Sequence, residues 1–307
     1  MKQRTSQIMM VRPASFGFNE QTAKSNTFQT EVNSQENSQA SEEAIAEFDN
    51  YVKVLQNVGV TVNIIQDSAE PKKPDAIFPN NWISFHEDGQ LVLYPMCTPN
   101  RRWERRRSIL DMIGMGYTIS NEIDLSHYEA DEKFLEGTGS MLLDRQNKVC
   151  YACVSIRTDA VLLKEFCEKL GFEPVLFESV NENNFPVYHT NVIMGLAQDY
   201  VVICMASIPN EADKKMLLEK FAETGKEVVD ISFEQVTKFC GNVIELESNE
   251  GESLLVMSEQ AFNGFTDEQQ KQIQQYSKMT YAPIYTIEKI GGGGARCMVA
   301  EVFLPKS

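Results

Sequence analysis

The chain has 307 residues, and 28 Lys plus Arg against 44 Asp plus Glu leave a net charge of -16. With 42% hydrophobic and 23% charged residues it has the composition of a soluble globular protein with ample core, and its acidic balance argues against a nucleic-acid partner, whose phosphates call for a basic surface. The longest apolar runs, such as residues 200–206, fall far short of the roughly 20 residues that span a bilayer, so no membrane segment is expected.

The start MKQRTSQIMMVRP lacks the apolar core and small-residue cleavage site of a secretory signal. Seven cysteines, an odd count and mostly in apolar contexts such as Val202-Ile203-Cys204, read as reduced thiols. A cytoplasmic location is expected.

A strand is predicted over 8–11. The polar stretch 19–40 has no apolar period and reads as a loop, either a surface segment or a lid over a site. Ala44, Ile45, Phe48, Val52 and Leu55 then share one helical face over 41–57, with Ser41 as N-cap and Gly59 where the helix stops. A β-rich run follows at 60–65.

Strand-like runs at 82–86 and 91–96 flank Glu87-Asp88-Gly89-Gln90, and an Arg-rich helical stretch covers 101–113. The hairpin recurs at 141–144 and 149–154, with a helix over 158–170 and a strand at 174–177. It recurs at 191–196 and 200–205, with a helix over 211–224 and a strand at 227–231. A further copy has strands at 243–246 and 254–257, a helix over 258–276 and a strand near 284–287. A last strand, 297–303, and the amino-terminal strand, helix and strand complete a fifth copy split across the termini, as a closed ring requires. The fold class is therefore read as α/β, a fivefold α/β propeller over 1–307; an ordinary α/β sheet is the alternative.

Histidines are few: His86, His127 and His189. His189, in Tyr188-His189-Thr190-Asn191 at the mouth of a strand, is the candidate acid and base, although a lone histidine there serves structure as readily. Cys297 follows Gly291-Gly292-Gly293-Gly294-Ala295-Arg296, a loop whose glycines permit close approach to a ligand. Arg296 or a protonated histidine would lower the thiol pKa; a buried cysteine beside a flexible loop is the bland reading. Glu136, in Leu135-Glu136-Gly137-Thr138-Gly139, is able to orient a histidine or simply to make a turn. Cys150 and Cys153 lie within a strand pattern and read as core, and the Arg101 to Arg107 run reads as a solvated helix face with one or two inward arginines.

Asp75-Ala76-Ile77-Phe78-Pro79-Asn80-Asn81-Trp82, the Glu136 turn, the His189 segment and the Gly-rich Cys297 segment together resemble the guanidino-group-modifying, or pentein, superfamily, whose fold is such a propeller. Including residues 22–29, the sequence looks most like an amidinotransferase-like branch containing citrulline-utilisation hydrolases, related to arginine deiminases and dimethylarginine hydrolases. The resemblance implies Cys297 as nucleophile, His189 as general acid and base, and Glu136 as the carboxylate that holds the histidine. It implies Arg101 and Arg157 on the substrate carboxylate and Asp75 near its amino group. It requires no metal or organic cofactor.

The departures bear on substrate. Asn81 stands where many relatives carry an acid for a guanidinium, and Asn191 stands where deiminases carry an aspartate. Burying a guanidinium without carboxylates is costly, whereas an asparagine amide serves a neutral ureido group. The expected substrate is citrulline, giving ornithine, ammonia and carbon dioxide through a covalent Cys adduct. The alternatives are an arginine deiminase, a dimethylarginine hydrolase, an amidinotransferase, or a propeller binding scaffold of the kind found in ribosome anti-association factors. The expected partner is a small amino acid, not nucleic acid or membrane, with a homodimer as one possible assembly.

Overall fold

A computed structural model describes residues 1–26, 28–31 and 34–307, with side chains at 34–38 excluded. Thr27 and positions 32–33, which belong to the polar stretch above, lie outside the described residues.

The strands fall into five three-stranded sheets. One unit holds β1 (Gln7–Arg12), β2 (Thr61–Gln66) and, from the far end of the chain, β15 (Ala300–Glu301). The next has β3 (Ile83–Phe85), β4 (Gln90–Leu93) and β5 (Asn121–Asp124). The third has β6 (Leu142–Asp144), β7 (Val149–Cys153) and β8 (Glu173–Phe177). The fourth has β9 (Met194–Leu196), β10 (Tyr200–Ile203) and β11 (Glu227–Asp230), and the fifth β12 (Ile244–Glu247), β13 (Ser253–Ser258) and β14 (Lys278–Ala282).

Every sheet repeats one rule: an inner strand pairs antiparallel with a middle strand, which pairs parallel with an outer strand reached through helical chain. Parallel neighbours need such a crossover, while the antiparallel pair needs only a tight turn. Inner strands of different units also touch, β3 with β15 and β9 with both β6 and β12. The repeat is a fivefold α/β propeller whose first and last strands close the same sheet.

Apolar faces of the crossover helices and middle strands form the core. In the helix Ala160–Leu170, Leu162, Leu163, Phe166, Cys167 and Leu170 are buried at helical spacing; Asp159 caps its first turn through Val161 and Leu162 N–H, and Gly171 ends it in the left-handed region. Tyr51, Tyr151, Tyr200, Phe48 and Phe221 are wholly buried, each contributing on the order of 2 kcal/mol by area removed from water. Cys150 and Cys153 belong to this core, and burial pushes both thiols up.

Several boundaries differ from the sequence reading. The first long helix spans Ser34–Asn57, so part of the 19–40 stretch is helical; a short helix, Glu20–Ala23, precedes it. Ser41 is interior to the helix and accepts from Phe16 N–H instead of capping. The run 101–113 is a 3-10 segment, Pro99–Glu104, followed by the helix Arg107–Gly114. The predicted helix over 258–276 breaks into Glu259–Gly264 and Asp267–Ile273, because Thr266 makes a new capping box with Gln269. The strand expected near 284–287 is β14, earlier in the chain; Pro283, with no N–H to give a ladder, follows its end, and Ile287–Gly291 is π-helical. The predicted strand 297–303 shrinks to β15, since Ala295–Met298 forms a 3-10 turn.

Candidate active site

Each inner strand is entered through a turn, and four of these turns carry the residues singled out in the sequence. Asn81 ends the 3-10 turn Pro79–Asn81 before β3, and Glu136 caps the one-turn helix Gly137–Ser140 before β6. His189 caps Thr190–Ile193 before β9, and Cys297 lies in Ala295–Met298 before β15. The turn before β12 carries Asn242. Fivefold repetition thus brings residues more than two hundred positions apart to one end of the axis.

Glu136 is fully buried and accepts from three donors: Cys97 N–H at 3.0 Å on Oε1, and His189 Nε2 at 2.8 Å and Arg157 Nη1 at 3.3 Å on Oε2. Burial alone would raise its pKa; the Arg157 charge and the His189 hydrogen bond outweigh burial and hold the carboxyl well below the usual range. An ionised Glu136 assigns the proton of His189 to Nε2, which leaves Nδ1 as the basic nitrogen. Burial, opposed by Glu136, lowers the His189 pKa to about 4, so the ring is neutral at pH 7.

Gly139 makes room for this arrangement, because a Cβ there would lie 2.4 Å from Asn81 Nδ2 and 2.9 Å from His189 Nδ1. No side chain larger than hydrogen fits between the two.

Cys297 is buried, and its Sγ accepts from Asn242 Nδ2 at 3.2 Å and Asn191 Nδ2 at 3.4 Å. Burial pushes the thiol above its ordinary range, against these amide donors. Arg296, expected to activate the thiol, is instead committed to Glu301 at 2.8 Å and Val299 O at 2.9 Å, and it weighs less on the thiol than Asn242.

Cys297, His189, Asn81, Asp75, Arg101 and Arg157 share a small cavity of about 20 Å³, with Thr22 and Asn26 of the amino-terminal segment and Gly291, Gly292 and Gly293. That volume holds about one water, far below the several hundred Å³ of an open ligand site. A larger cavity of about 480 Å³, bordered by Phe28, Phe185, Val192 and Phe233, contains none of these polar groups.

The two arginines expected to await a substrate carboxylate already have partners. Arg101 is bidentate on Glu104, at 2.9 Å for both bonds, and also donates to Asn81 Oδ1 at 2.7 Å and Phe78 O at 3.1 Å. Arg157 donates to Glu136, to Thr22 O at 3.2 Å and to Ser25 Oγ, and lies over the Tyr188 ring. In this closed arrangement neither guanidinium presents a free fork, because a buried guanidinium needs all its donors satisfied. Asp75 is similarly tied on one oxygen, Oδ2 accepting from Asn19 Nδ2 at 2.7 Å and Thr22 Oγ1 at 2.8 Å, while its buried Oδ1 has no partner among the described residues. Asn81 Nδ2, Asn191 Oδ1 and both amide atoms of Asn80 are also buried without partners among the described residues.

Sequence reading gave no individual role to Glu104, Asn242, Asn19, Thr22 or Ser25, although Thr22 and Ser25 lie in the 22–29 motif. Glu104, three residues after Arg101 in a helical turn, carried a readable i,i+3 signal; Asn242 carried one only in phase with the other four turns.

The fold and this polar site are those of the pentein, guanidino-group-modifying superfamily, which includes dimethylarginine hydrolases and arginine deiminase-like enzymes. The chain belongs to the family described as N,N dimethylarginine dimethylhydrolase, eukaryotic, whose model matches residues 12–304.

Solved structures repeat the fold at low identity. ArgZ, an arginine dihydrolase from the ornithine-ammonia cycle in cyanobacteria, superposes with a TM-score of 0.74 at 16% identity over 97% of this chain and 41% of that one. The present chain thus spans less than half of that ArgZ chain. The N-terminal domain of ArgZ, a substrate-bound cysteine-to-serine mutant, gives 0.72 at 15% identity over 97% and 98% of the two chains. A dimethylarginine dimethylaminohydrolase adduct with S-methyl-L-thiocitrulline gives 0.65 at 12% identity over 97% and 99%. No curated protein matches by sequence. Among the described residues, no helix is long and apolar enough to cross a membrane.

Proposed function

We propose that the chain, acting as one propeller domain over 1–307, hydrolyses the ureido group of citrulline through a covalent adduct on Cys297. The observation that carries this reading is the uncharged lining at the thiol: Asn191 and Asn242 donate to Sγ, and Asn81 Nδ2 is a buried donor without a partner. A ureido oxygen accepts from such a donor, whereas a guanidinium has no acceptor to offer it. Glu136 is saturated by three protein donors, and Glu104 by Arg101.

In the resting site thiol and imidazole are both neutral. On substrate binding the Cys297 proton moves to His189 Nδ1 as Sγ bonds to the ureido carbon. The C–N bond to the ornithine side chain breaks, and its nitrogen takes the proton from His189, leaving an S-carbamoyl enzyme. Water then loses a proton to His189 Nδ1 and adds to the carbamoyl carbon; the C–S bond breaks, the thiolate recovers the proton, and the released carbamic acid breaks down to ammonia and carbon dioxide. Glu136 keeps Nδ1 toward the reaction and stabilises the imidazolium.

Opening of the amino-terminal segment is part of this proposal. Thr22 and Ser25 hold Arg157, and Asn19 and Thr22 hold Asp75. When that segment withdraws, Arg157 gains donors for an α-carboxylate and Asp75 gains acceptors for an α-amino group. Arg101, locked on Glu104, shapes the wall. A second reading, hydrolysis of arginine itself, is favoured by the bare Asp75 Oδ1, an anionic acceptor in the cavity.

Mass spectrometry of enzyme quenched during citrulline turnover tests the covalent step. A carbamoyl increment on the Cys297 peptide is expected, absent in a folded and inactive Cys297→Ser; turnover by that variant would refute the mechanism.

A further inference from the structure

The fifth unit contributes Asn242 to the axis from the turn between the helix Phe233–Thr237 and β12, the same place in the repeat that Asn81, Glu136, His189 and Cys297 occupy in theirs. Its side chain is 2% exposed and has three partners on this site. Oδ1 accepts from Arg296 N–H at 3.1 Å, and Nδ2 donates to Asn191 O at 2.9 Å and to Cys297 Sγ at 3.2 Å. A backbone N–H only donates and a backbone carbonyl only accepts, so the first two contacts fix which end of the amide is which. The nitrogen is the atom nearer the sulfur, and Oδ1, 3.6 Å from it, accepts from the neutral thiol.

The loop that carries the thiol is built against this amide. A Cβ on Gly294 would lie 2.7 Å from Asn242 Oδ1, so glycine there lets the backbone close on Asn242, with Arg296 N–H on Oδ1 and Cys297 Sγ nearest to Nδ2. Asn191 is the sulfur's other donor, at the longer distance of 3.4 Å, and Arg296 is turned away to Glu301. A buried thiolate without a cation in contact depends on such neutral donors for its charge.

We propose that Asn242 is a catalytic residue, its Nδ2–H stabilising the Cys297 thiolate both as the thiol loses its proton to attack and as the thiolate is expelled from the adduct. This rests on Cys297 being the nucleophile, but on no particular substrate. The sulfur and the amide belong to different units of the ring, so the donor is supplied by closure of the propeller and not by the loop sequence.

The test measures the pH dependence of Cys297 alkylation by iodoacetamide in the full chain without substrate, read on the Cys297 peptide, with thiolate ultraviolet absorbance against Cys297→Ser as a second readout. Asn242→Ala removes the donor, Asn242→Asp keeps the shape and the acceptor for Arg296 N–H but sets a carboxylate oxygen on the sulfur, and Asn242→Ser restores a small donor. The thiol pKa is expected to rise by about one unit in Asn242→Ala, so that thiolate at neutral pH falls about tenfold, by more in Asn242→Asp and by less in Asn242→Ser. In turnover, kcat should fall about tenfold at pH 7 with KM little changed, and the deficit should shrink as pH rises.

Alkylation profiles of the Ala and Asp variants that overlie wild type would overturn the proposal, as would a kcat deficit constant with pH. Failure of all three variants to fold would assign Asn242 to structure and overturn it equally. Inactivity toward citrulline with the pKa shifts intact would count against the substrate alone, whereas an active Cys297→Ser would remove the nucleophile itself.

Discussion

Replacing Glu136 by Gln removes one acceptor oxygen from a side chain that holds three donors. If the amide keeps its oxygen on Cys97 N–H, its NH2 meets Arg157 Nη1 and His189 Nε2, both donors on Oε2 in the native site. Arg157 then loses a partner, and His189 must shift its proton to Nδ1 to accept from the new amide. If the amide flips, Cys97 N–H is orphaned. In either case one buried donor is unsatisfied, which costs about 1–3 kcal/mol and lowers the melting temperature by several degrees, roughly 2–4 °C per kcal/mol. The catalytic effect is larger, because in the first arrangement the nitrogen facing the substrate is no longer a base and in both the imidazolium loses its counter-charge. Loss of the third member of a triad by amide substitution lowers kcat by about 10⁴ in serine proteases, and a fall of at least about 10³ is expected here. Steady-state kinetics with thermal unfolding of the same preparation measures both. A folded Glu136→Gln with kcat within tenfold of wild type would refute the role of Glu136 and the neutral-pair description of the resting site.

Asn81→Asp should move preference from citrulline toward arginine by at least about tenfold in the ratio of kcat/KM, one charge-assisted hydrogen bond being worth about 1.5–3 kcal/mol; competition assays with both substrates check this, and an unchanged ratio would contradict the ureido argument. The buried histidines should cost stability as pH drops below the ordinary histidine range. Burial lowers His189 to about 4 and His86 well below 6.5, so between about 6.5 and 4 the unfolded chain binds protons that the folded chain refuses, and stability present at pH 7 is lost toward pH 4. Glu136 adds to the loss below the ordinary carboxyl range, its folded pKa being depressed. Glu104, raised by burial to about 7, and Glu288, raised to about 8, act in the opposite sense over the same range, so the histidine contribution is read by difference: between pH 7.5 and pH 5 the urea midpoint of His86→Gln should fall less, or rise more, than that of wild type, and equal changes would refute it.

The fivefold hairpin pattern was readable because inner and middle strands are buried and apolar, as in β7 and β10. β5 escaped notice because Asn121, Glu122, Ile123 and Asp124 form an exposed outer edge with one apolar residue. The 19–40 stretch looked like a loop because its anchors at Asn19, Thr22 and Ser25 bind polar groups of the site, Asp75 and Arg157, and such contacts leave no apolar period. Cys297, His189 and Glu136 stood out by type and local glycine content. The partnering of Arg101 by Glu104, and the turning of Arg296 from the thiol to Glu301, depend on side-chain directions that no spacing rule supplied. Asn242 was hidden because a lone asparagine after Gly241 carries meaning only when the repeats are superposed.

The most direct measurement incubates the purified chain separately with citrulline, arginine, methylated arginines and agmatine and quantifies ammonia and amino-acid products. Citrulline should give ornithine and ammonia in equal amounts, with none formed by Cys297→Ser. Release of citrulline from arginine or methylarginine without further breakdown, and no turnover of citrulline itself, would contradict the assignment.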